Sequence, residues 1–576
     1  MNSMTKSNSA ARAIAIPTWY EVLSAHLLAK FPQTDDVSKQ ANAQCIRNLG
    51  NALEQGDTCL YRAPEMADEA WLSHPLFVSD TFASVTPAPL VVMNDEQGEG
   101  GRYVYFYRHW QQEWQLAERL AALLNPATAP KAAHVDLSTE TSLKALQIQA
   151  IEMAAKSPFS LITGGPGTGK TYTLARIVKA LQQSNDHLRV ALAAPTGKAA
   201  QRMQSVLSAE FQRADIGHVK MQQAQTIHRL LGLGGRSTPR YHRFDPLPFD
   251  LIIIDEGSML DLALASLLFD AIAVGTRVII LGDADQLAAV DAGAVLADLG
   301  ESDALKPYRV HLLESNRFKA DEGIGLLANG VLRQDEESVL EALAGNEQVQ
   351  YFDLDKARKI AIFSQLWQGF SAYVACLESL KSATHPLSED SVKALFAAFD
   401  QYRVLCAQRY SDFGANAINQ ILGEHLQKAL NDQNVRNGGW YVGRPVMVTR
   451  NDYGLRLSNG DIGVCLSDNT GRLWVYFPDR VAPIAATRLP PEQIETAFAL
   501  TIHKSQGSEF SVVAMVLDAS AEEMLTRELV YTAITRAKKC IQVWSDKALL
   551  INAIHKKSNR MSGLKSNIAQ MLTKDH

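Results

Sequence analysis

The spacing of apolar residues changes character near residue 140. Before it, WYEVLSAHLLAKF (19–31) repeats apolar residues at intervals of three and four and predicts an amphipathic helix. GRYVYFYRHWQQEWQLAERLAALL (101–124) reads as an aromatic strand running into a second such helix. The stretch between them is broken by Pro and Gly, and PATAPKAAH (126–134) reads as a linker. Residues 1–125 therefore read as a small, mainly helical N-terminal domain. Its Tyr103, Tyr105, Phe106, Tyr107 and Trp110 serve either as core or as a protein-contact surface.

Beyond residue 140, short unbroken apolar runs end in polar or Gly-rich residues. They are SLITGGPGTGKT (160–171), VALAAPTGKAA (190–200), FDLIIIDEGSM (249–259) and TRVIILGDADQL (276–287). Runs of this kind predict central strands of a mostly parallel sheet covered on both faces, with ligands bound beyond the carboxyl edge. A first α/β domain is expected over 140–305. A second is expected from 306, opening with RVHLLESNRF (309–318). In it the acidic, Ala-rich stretch 319–346 reads as helical surface, YRVLCAQRY (402–410) as a strand and ANAINQILGEHLQKAL (415–430) as an amphipathic helix. RPVMVTRNDYGLRLSNGDIGVCL (444–466) and GRLWVYFPD (471–479) carry hairpin turns. They predict a small β-rich, SH3-like insertion over 441–490, dividing the second domain into 306–440 and 491–576. The α/β pattern resumes at 497–517 and 528–546, and the last thirty residues read as helical, then frayed.

Composition narrows the function classes. A chain of 576 residues with 47% hydrophobic residues can bury several cores, which excludes a disordered or fibrous protein. Lys plus Arg number 56 and Asp plus Glu 62, so nucleic acid would be met in a local groove and not over a basic surface. Cys45, Cys59, Cys376, Cys406, Cys465 and Cys540 are scattered singly, with no C-x-x-C pair to hold zinc. They read as isolated buried thiols in a reducing compartment. No segment reaches the ~18 apolar residues of a membrane span, and the expected location is cytoplasmic.

The strongest chemical signal is GGPGTGKT (164–171), which fits G-x-x-x-x-G-K-[ST] and lies between a strand and a helix. Gly164, Gly165, Pro166, Gly167, Thr168 and Gly169 form a loop whose backbone N–H groups curl around phosphate oxygens, aided by the helix N-terminus. Lys170 is expected at the β- and γ-phosphates and Thr171 on Mg²⁺. ATP and Mg²⁺ are therefore the expected cofactors. Asp255 and Glu256 end the apolar run LIII, so Asp255 is a candidate Mg²⁺ ligand and Glu256 a candidate base for the attacking water. Gln286 is placed to sense the γ-phosphate, and Arg317 and Arg536 are candidate arginine fingers, expected from the second domain. Gln147 is a candidate for the adenine edge.

If two α/β domains share one cleft, a single strand crosses their tops. Thr196, the flexible Gly197 and Lys198, then Thr226 and His228, then Thr501, His503 and Lys504 offer hydroxyl, imidazole and ammonium groups to its phosphates. No HExxH motif, His/Cys cluster or serine nucleophile arrangement stands out, and no acidic cluster reads as an independent nuclease site.

In order along the chain, GGPGTGKT, APTGKAA, TIHRLLG, IIIDEGSM, GDADQL, ESNRF, NGDIG, TIHKSQGSEF and YTAITRAKK together resemble the motifs of superfamily 1 helicases. GDADQLAAVDAGAVLADL (282–299) and YVYFYRHWQQEWQLAERL (103–120) are most similar to the RecD family, within the 5′-to-3′ branch. Gly257 departs from that pattern, which more often has alanine there, without removing a catalytic group. The resemblance implies two RecA-like P-loop domains and a motor on the 5′-ended strand. It also implies an alpha subunit of exodeoxyribonuclease V, joined to beta and gamma subunits and acting on duplex DNA ends. A stand-alone RecD-like helicase is the alternative. The absence of a tandem helix-hairpin-helix-like extension, and a length of 576 residues, favour the subunit.

Overall fold

A computed structural model describes residues 18–574, apart from 33–34, 64–73, 96–99, 139, 214–219, 234–237, 316, 319–320, 346, 382–384, 432–438, 453, 479 and 481. The chain forms two compact units. One comprises the chain up to Trp114 with two short returns, Asp291–Gly293 and Arg560–Asn567, and the other comprises the remainder.

In the first unit the helices Trp19–Lys30 and Asp36–Glu54 accompany a four-stranded sheet. Its strands are β1 (Leu60–Arg62), β2 (Phe77–Ser79), β3 (Leu90–Asn94) and β4 (Arg102–Phe106), in the order β1-β4-β3-β2. The mainly helical expectation for this region omitted most of that sheet, because three-residue strands are too short to show a period in sequence. Alternation along β3 sends Leu90 and Val92 into one cluster with Ile46 and Leu49, and Val91 and Met93 into another with Tyr105 and Trp110. Tyr105 and Trp110 are thus core, with Tyr103 and Tyr107 packed beside them.

In the second unit the first sheet holds β5 (Phe159–Gly164), β6 (Arg189–Ala194), β7 (Lys220–Met221), β8 (Gln225–Thr226), β9 (Leu251–Ile254), β10 (Arg277–Gly282) and β11 (Arg309–Leu312). Their order is β11-β5-β10-β9-β6-β7, with β8 on β6, and every pairing is parallel. The four residues of β9 and the six each of β5 and β10 are all buried, which is why these strands read as unbroken apolar runs. The helix Lys170–Ser184 covers the sheet through Leu174, Ile177, Val178 and Leu181, one stripe at helical spacing.

Strand β11 corrects the expected domain boundary at 306. Residues Arg309–Leu312 pair with Leu161–Gly164 of β5 and extend the first sheet. The chain crosses to the second sheet only after them.

The second sheet begins with β12 (Val349–Phe352) and β13 (Tyr402–Cys406). An insertion follows, formed by β14 (Pro445–Val448), β15 (Ile462–Ser467), β16 (Leu473–Tyr476), β17 (Ile484–Ala485) and β18 (Ile494–Thr496). The second sheet is then completed by β19 (Ala499–Thr501), β20 (Phe510–Leu517) and β21 (Ala537–Ser545), in the parallel order β12-β21-β20-β13-β19. Along β20, Val513, Met515 and Leu517 face one core, and Ala514 and Val516 the other. The helices Gly323–Arg333 and Glu336–Leu343 bury Ile324, Leu327, Val331, Val339 and Leu343 in the first of these cores. The acidic stretch is therefore surface on one face only.

The insertion is a five-stranded antiparallel sheet in the order β17-β16-β15-β14-β18, with its own core of Val446, Val448, Cys465, Val475, Phe477 and Ile484. Strand β18 extends it past the expected end at 490. None of the six cysteines is in a disulfide, and five of them are buried. Among the described residues no single helix is long and apolar enough to cross a membrane.

Candidate nucleotide cleft and nucleic-acid path

The loop after β5 is shaped by two glycines. Gly167 (φ 80°) and Gly169 (φ 87°) occupy the left-handed region that side-chain-bearing residues avoid. Space is equally short: a Cβ on Gly167 would lie 2.5 Å from the Cβ of Arg317, and one on Gly169 would lie 2.5 Å from Nε2 of Gln147. Gly169 caps the helix that Lys170 and Thr171 begin. The Lys170 ammonium donates to the carbonyls of Gly164 and Gly165, so it lies along the loop it would share with a phosphate. Gln147 braces the loop, since its Nε2 donates to the Thr168 carbonyl at 3.4 Å and its Oε1 accepts from the Lys144 N–H at 3.0 Å. Ser315 Oγ donates to the Pro166 carbonyl at 2.9 Å, tying the loop to the exit of β11.

Across from the loop, Asp255 and Glu256 leave the carboxyl end of β9. Asp255 Oδ1 accepts the Glu256 N–H at 2.8 Å. Burial and the neighbouring Glu256 charge raise the Asp255 pKa, against the pull of Lys170 and Arg202. Glu256 is held at φ 54°, a conformation that costs about 1–2 kcal/mol for a residue with a Cβ and so marks a constrained position. A hard divalent cation suits this corner: Asp255 supplies a carboxylate that burial and like charge destabilise, and Thr171 supplies a hydroxyl on the first turn of the facing helix.

The opposite wall comes from the second sheet. Arg536 precedes β21 and is buried; its Nη2 donates to Gln286 Oε1 at 2.5 Å, its Nε to the Thr532 carbonyl and its Nη1 to the Ser508 carbonyl. Gln286 is held in turn by donating through Nε2 to Asp283 at 2.8 Å. Tyr531 donates to the same Asp283 carboxylate at 3.2 Å, and Thr532 Oγ1 accepts the Leu287 N–H at 2.9 Å. These contacts join the loop after β10 directly to the helix Arg527–Ile534. Arg317 reaches the same cleft from the first sheet, as it follows β11, and not from the second domain as expected. Its Nη1 and Nη2 donate to the two oxygens of Glu509 at 2.8 and 3.1 Å. Arg202, on the helix Gly197–Arg213, donates to Glu509 as well, at 2.5 Å. Burial alone would raise the Glu509 pKa, but Arg202 and Arg317 outweigh it and hold the carboxyl at about 2. Arg202, Asp283 and Glu509 went unselected in the sequence reading. Asp283 and Glu509 lie inside segments quoted for other residues and Arg202 two positions beyond one, and only long-range contact sets them apart.

The proposed DNA-facing residues collect at carboxyl strand ends. Thr196 follows β6, and its hydroxyl accepts the Ala199 N–H at 3.3 Å. Lys198 stands one turn below Arg202 on the same helix, its ammonium 5.8 Å from the Phe510 ring centre, where burial lowers its pKa. Thr226 ends β8, which pairs beside β6, and caps the turn carrying the exposed His228. Thr501 ends β19, and His503 begins the turn after it; Lys504 is paired to Glu495 at 2.6 Å. Two contacts draw these groups together. A Cβ on Gly507 would lie 3.6 Å from Thr196 Oγ1, and one on Gly197 would lie 2.8 Å from Ser458 in the insertion.

Known proteins agree with this geometry. Residues 147–292 match the AAA domain family, and residues 496–541 match the UvrD-like helicase C-terminal domain family. The chain is 34% identical over 517 residues to the RecBCD enzyme subunit RecD of Haemophilus influenzae, covering 80% of this chain and 79% of that one. It is 36% identical over 575 residues to the subunit of the same name from Mycobacterium tuberculosis, covering 95% of each. The ATP-dependent RecD2 DNA helicase of Deinococcus radiodurans is 30% identical over 449 residues, which is 77% of this chain and 54% of that protein. A P-loop cleft between two parallel sheets, carried by a chain with these relatives, is that of an ATP-dependent DNA helicase. The chain belongs to the RecD family of superfamily 1 helicases.

Proposed function

We propose that the chain is a 5′-to-3′ single-stranded DNA translocase, the motor subunit of an exodeoxyribonuclease V with beta and gamma partners at duplex DNA ends. The observation that carries the motor reading is the bridge from Gln286 to Arg536, which ties the first sheet's phosphate side to the second sheet. In this reading the loop 164–169 and Lys170 cradle the triphosphate, with Gln147 beside the adenine. Thr171 and Asp255 would hold Mg²⁺, which would screen the phosphate charge. Glu256 accepts the proton of the attacking water, and Arg317 and Arg536 neutralise charge as the bond to the γ-phosphate breaks. Loss of that phosphate changes the Gln286–Arg536 contact and lets the two sheets move apart. Thr196, Lys198, Thr226 and His228 on one sheet and Thr501 and His503 on the other then grip the strand alternately. The names of the RecD relatives support the partnership, and in this reading any nuclease activity belongs to the partners.

Strand displacement on 5′-tailed and 3′-tailed duplexes, with Lys170→Gln as control, tests the polarity. Unwinding confined to the 5′ tail supports the proposal, and unwinding confined to the 3′ tail overturns it. Co-purification with two larger subunits tests the assembly, and a chain that stays alone when co-expressed with them refutes it.

A further inference from the structure

Glu509 is the carboxylate on which three cations converge. Arg317 grips both of its oxygens, Arg202 reaches Oε1 at 2.5 Å, and Lys538 stands 3.6 Å from Oε2. The Glu509 side chain is 8% exposed, whereas Arg317, Arg202 and Lys538 are 25%, 40% and 51% exposed, so a buried carboxylate depends on cations that keep part of their hydration and can exchange. The three elements that meet here have different duties. Arg317 stands against Gly167 of the phosphate loop. Arg202 lies on the helix that begins with Gly197 and Lys198. Glu509 itself precedes β20 of the second sheet.

The geometry of the Arg317–Glu509 pair sets a constraint. Both terminal nitrogens of Arg317 are committed to the two carboxylate oxygens, the fork arrangement a guanidinium also uses on phosphate. A phosphate group that takes Arg317 by this same fork must therefore displace Glu509. Glu509 then keeps Arg202 as its partner, and the helix Gly197–Arg213 feels the change.

We propose that Glu509 is a positioning residue that competes with the γ-phosphate for Arg317 and, through Arg202, passes nucleotide occupancy to the DNA-facing helix Gly197–Arg213. Glu509 thus couples the two ligands: DNA that pulls on this helix draws Glu509 toward Arg202 and frees Arg317 for the triphosphate. By reciprocity, the triphosphate shifts the same helix toward its DNA-bound position. This inference rests on the reading of Arg317 as a phosphate-binding arginine.

The test is steady-state ATP hydrolysis by the full chain, with and without saturating oligo(dT). It compares wild type with Glu509→Gln, Arg202→Gln, Arg202→Lys and Arg317→Gln. Without its charge, Glu509 no longer competes for Arg317, so Glu509→Gln lowers the KM for ATP and cuts the stimulation by DNA, each by about fivefold or more. Arg202→Gln leaves Glu509 wholly on Arg317, so it also loses stimulation but raises KM. Arg202→Lys restores both, because one donor suffices at that contact. Should Glu509→Gln not fold, Glu509→Asp, whose shorter carboxylate cannot span both arginines, must shift KM and stimulation in the same directions. A KM that rises in Glu509→Gln means that the residue holds the nucleotide and overturns the proposal, as does stimulation within twofold of wild type. Arg317→Gln separates the two levels: near-normal turnover there would refute the phosphate-binding reading itself. A dead Arg317→Gln beside an unaltered Glu509→Gln would refute the coupling alone.

Discussion

Arg536 donates through Nη2 to Oε1 of Gln286 at 2.5 Å, a contact between a guanidinium from the second parallel sheet and a neutral amide from the first. Both residues are buried, so each would be left with an unmet hydrogen bond if the other were lost. Gln286→Ala therefore costs about 1.5–3 kcal/mol of positioning at Arg536, or roughly 10- to 100-fold in kcat, with a smaller change in KM for ATP. Steady-state ATP hydrolysis in the presence of DNA measures both. An unchanged kcat would mean that the bridge only holds the sheets together.

Lys170→Gln should reduce ATP turnover at least about 100-fold while the fold is retained, since the side chain is half-buried and its ammonium donates to the loop's own carbonyls. Circular dichroism and a thermal melt check the fold, and a coupled ATPase assay checks the turnover. Near-normal DNA-stimulated hydrolysis would remove Lys170 from the phosphate site.

Much of this was legible because the chemistry is local in the chain. The glycines of 164–169, the carboxylates closing LIII and the strand-to-helix turn of 194–203 lie within short segments whose apolar runs announce their strands. Partner choice was not legible. Arg309–Leu312 reads as the start of a new domain until its pairing with β5 is seen, and Ile494–Thr496 reads as a return to the second sheet until it pairs with β14. Glu509 and Arg202 lie 307 positions apart, and no local pattern joins them.

Gly167→Ala tests the loop. At φ 80° the alanine costs about 1–2 kcal/mol, and its Cβ would collide with that of Arg317, which cannot swing aside as the end of a long side chain can. A lower melting temperature and about 5- to 30-fold weaker binding of a fluorescent ATP analogue, by about the same energy, are expected. Wild-type binding would show that the loop tolerates a side chain there.

Glu113 makes a separate prediction in the N-terminal unit. It is fully buried and accepts from Thr58, Tyr105, Ser562 and Asn567. Burial raises its pKa to about 7, although these donors pull the other way. A carboxyl whose pKa is raised on folding contributes stability that is complete below its unfolded value, near 4.5, and is lost as pH rises through about 7. The change is on the order of 3 kcal/mol. Unfolding of wild type followed from pH 5 to 8 should show this loss, and Glu113→Gln should lack it. Parallel profiles for the two proteins would place the carboxyl's titration elsewhere.

The most direct measurement of the two-sheet engine is DNA-stimulated ATP hydrolysis by Arg536→Gln, made alongside a binding titration with the fluorescent ATP analogue. Arg536 immediately precedes β21 of the second sheet and reaches the cleft across its contact with Gln286. Nucleotide binding is predicted to stay within a few fold of wild type, and turnover to fall about 10³-fold or more, as for loss of an arginine that neutralises the transferring phosphate. Turnover within twofold of wild type would contradict the account, because the first sheet would then hydrolyse ATP without the second.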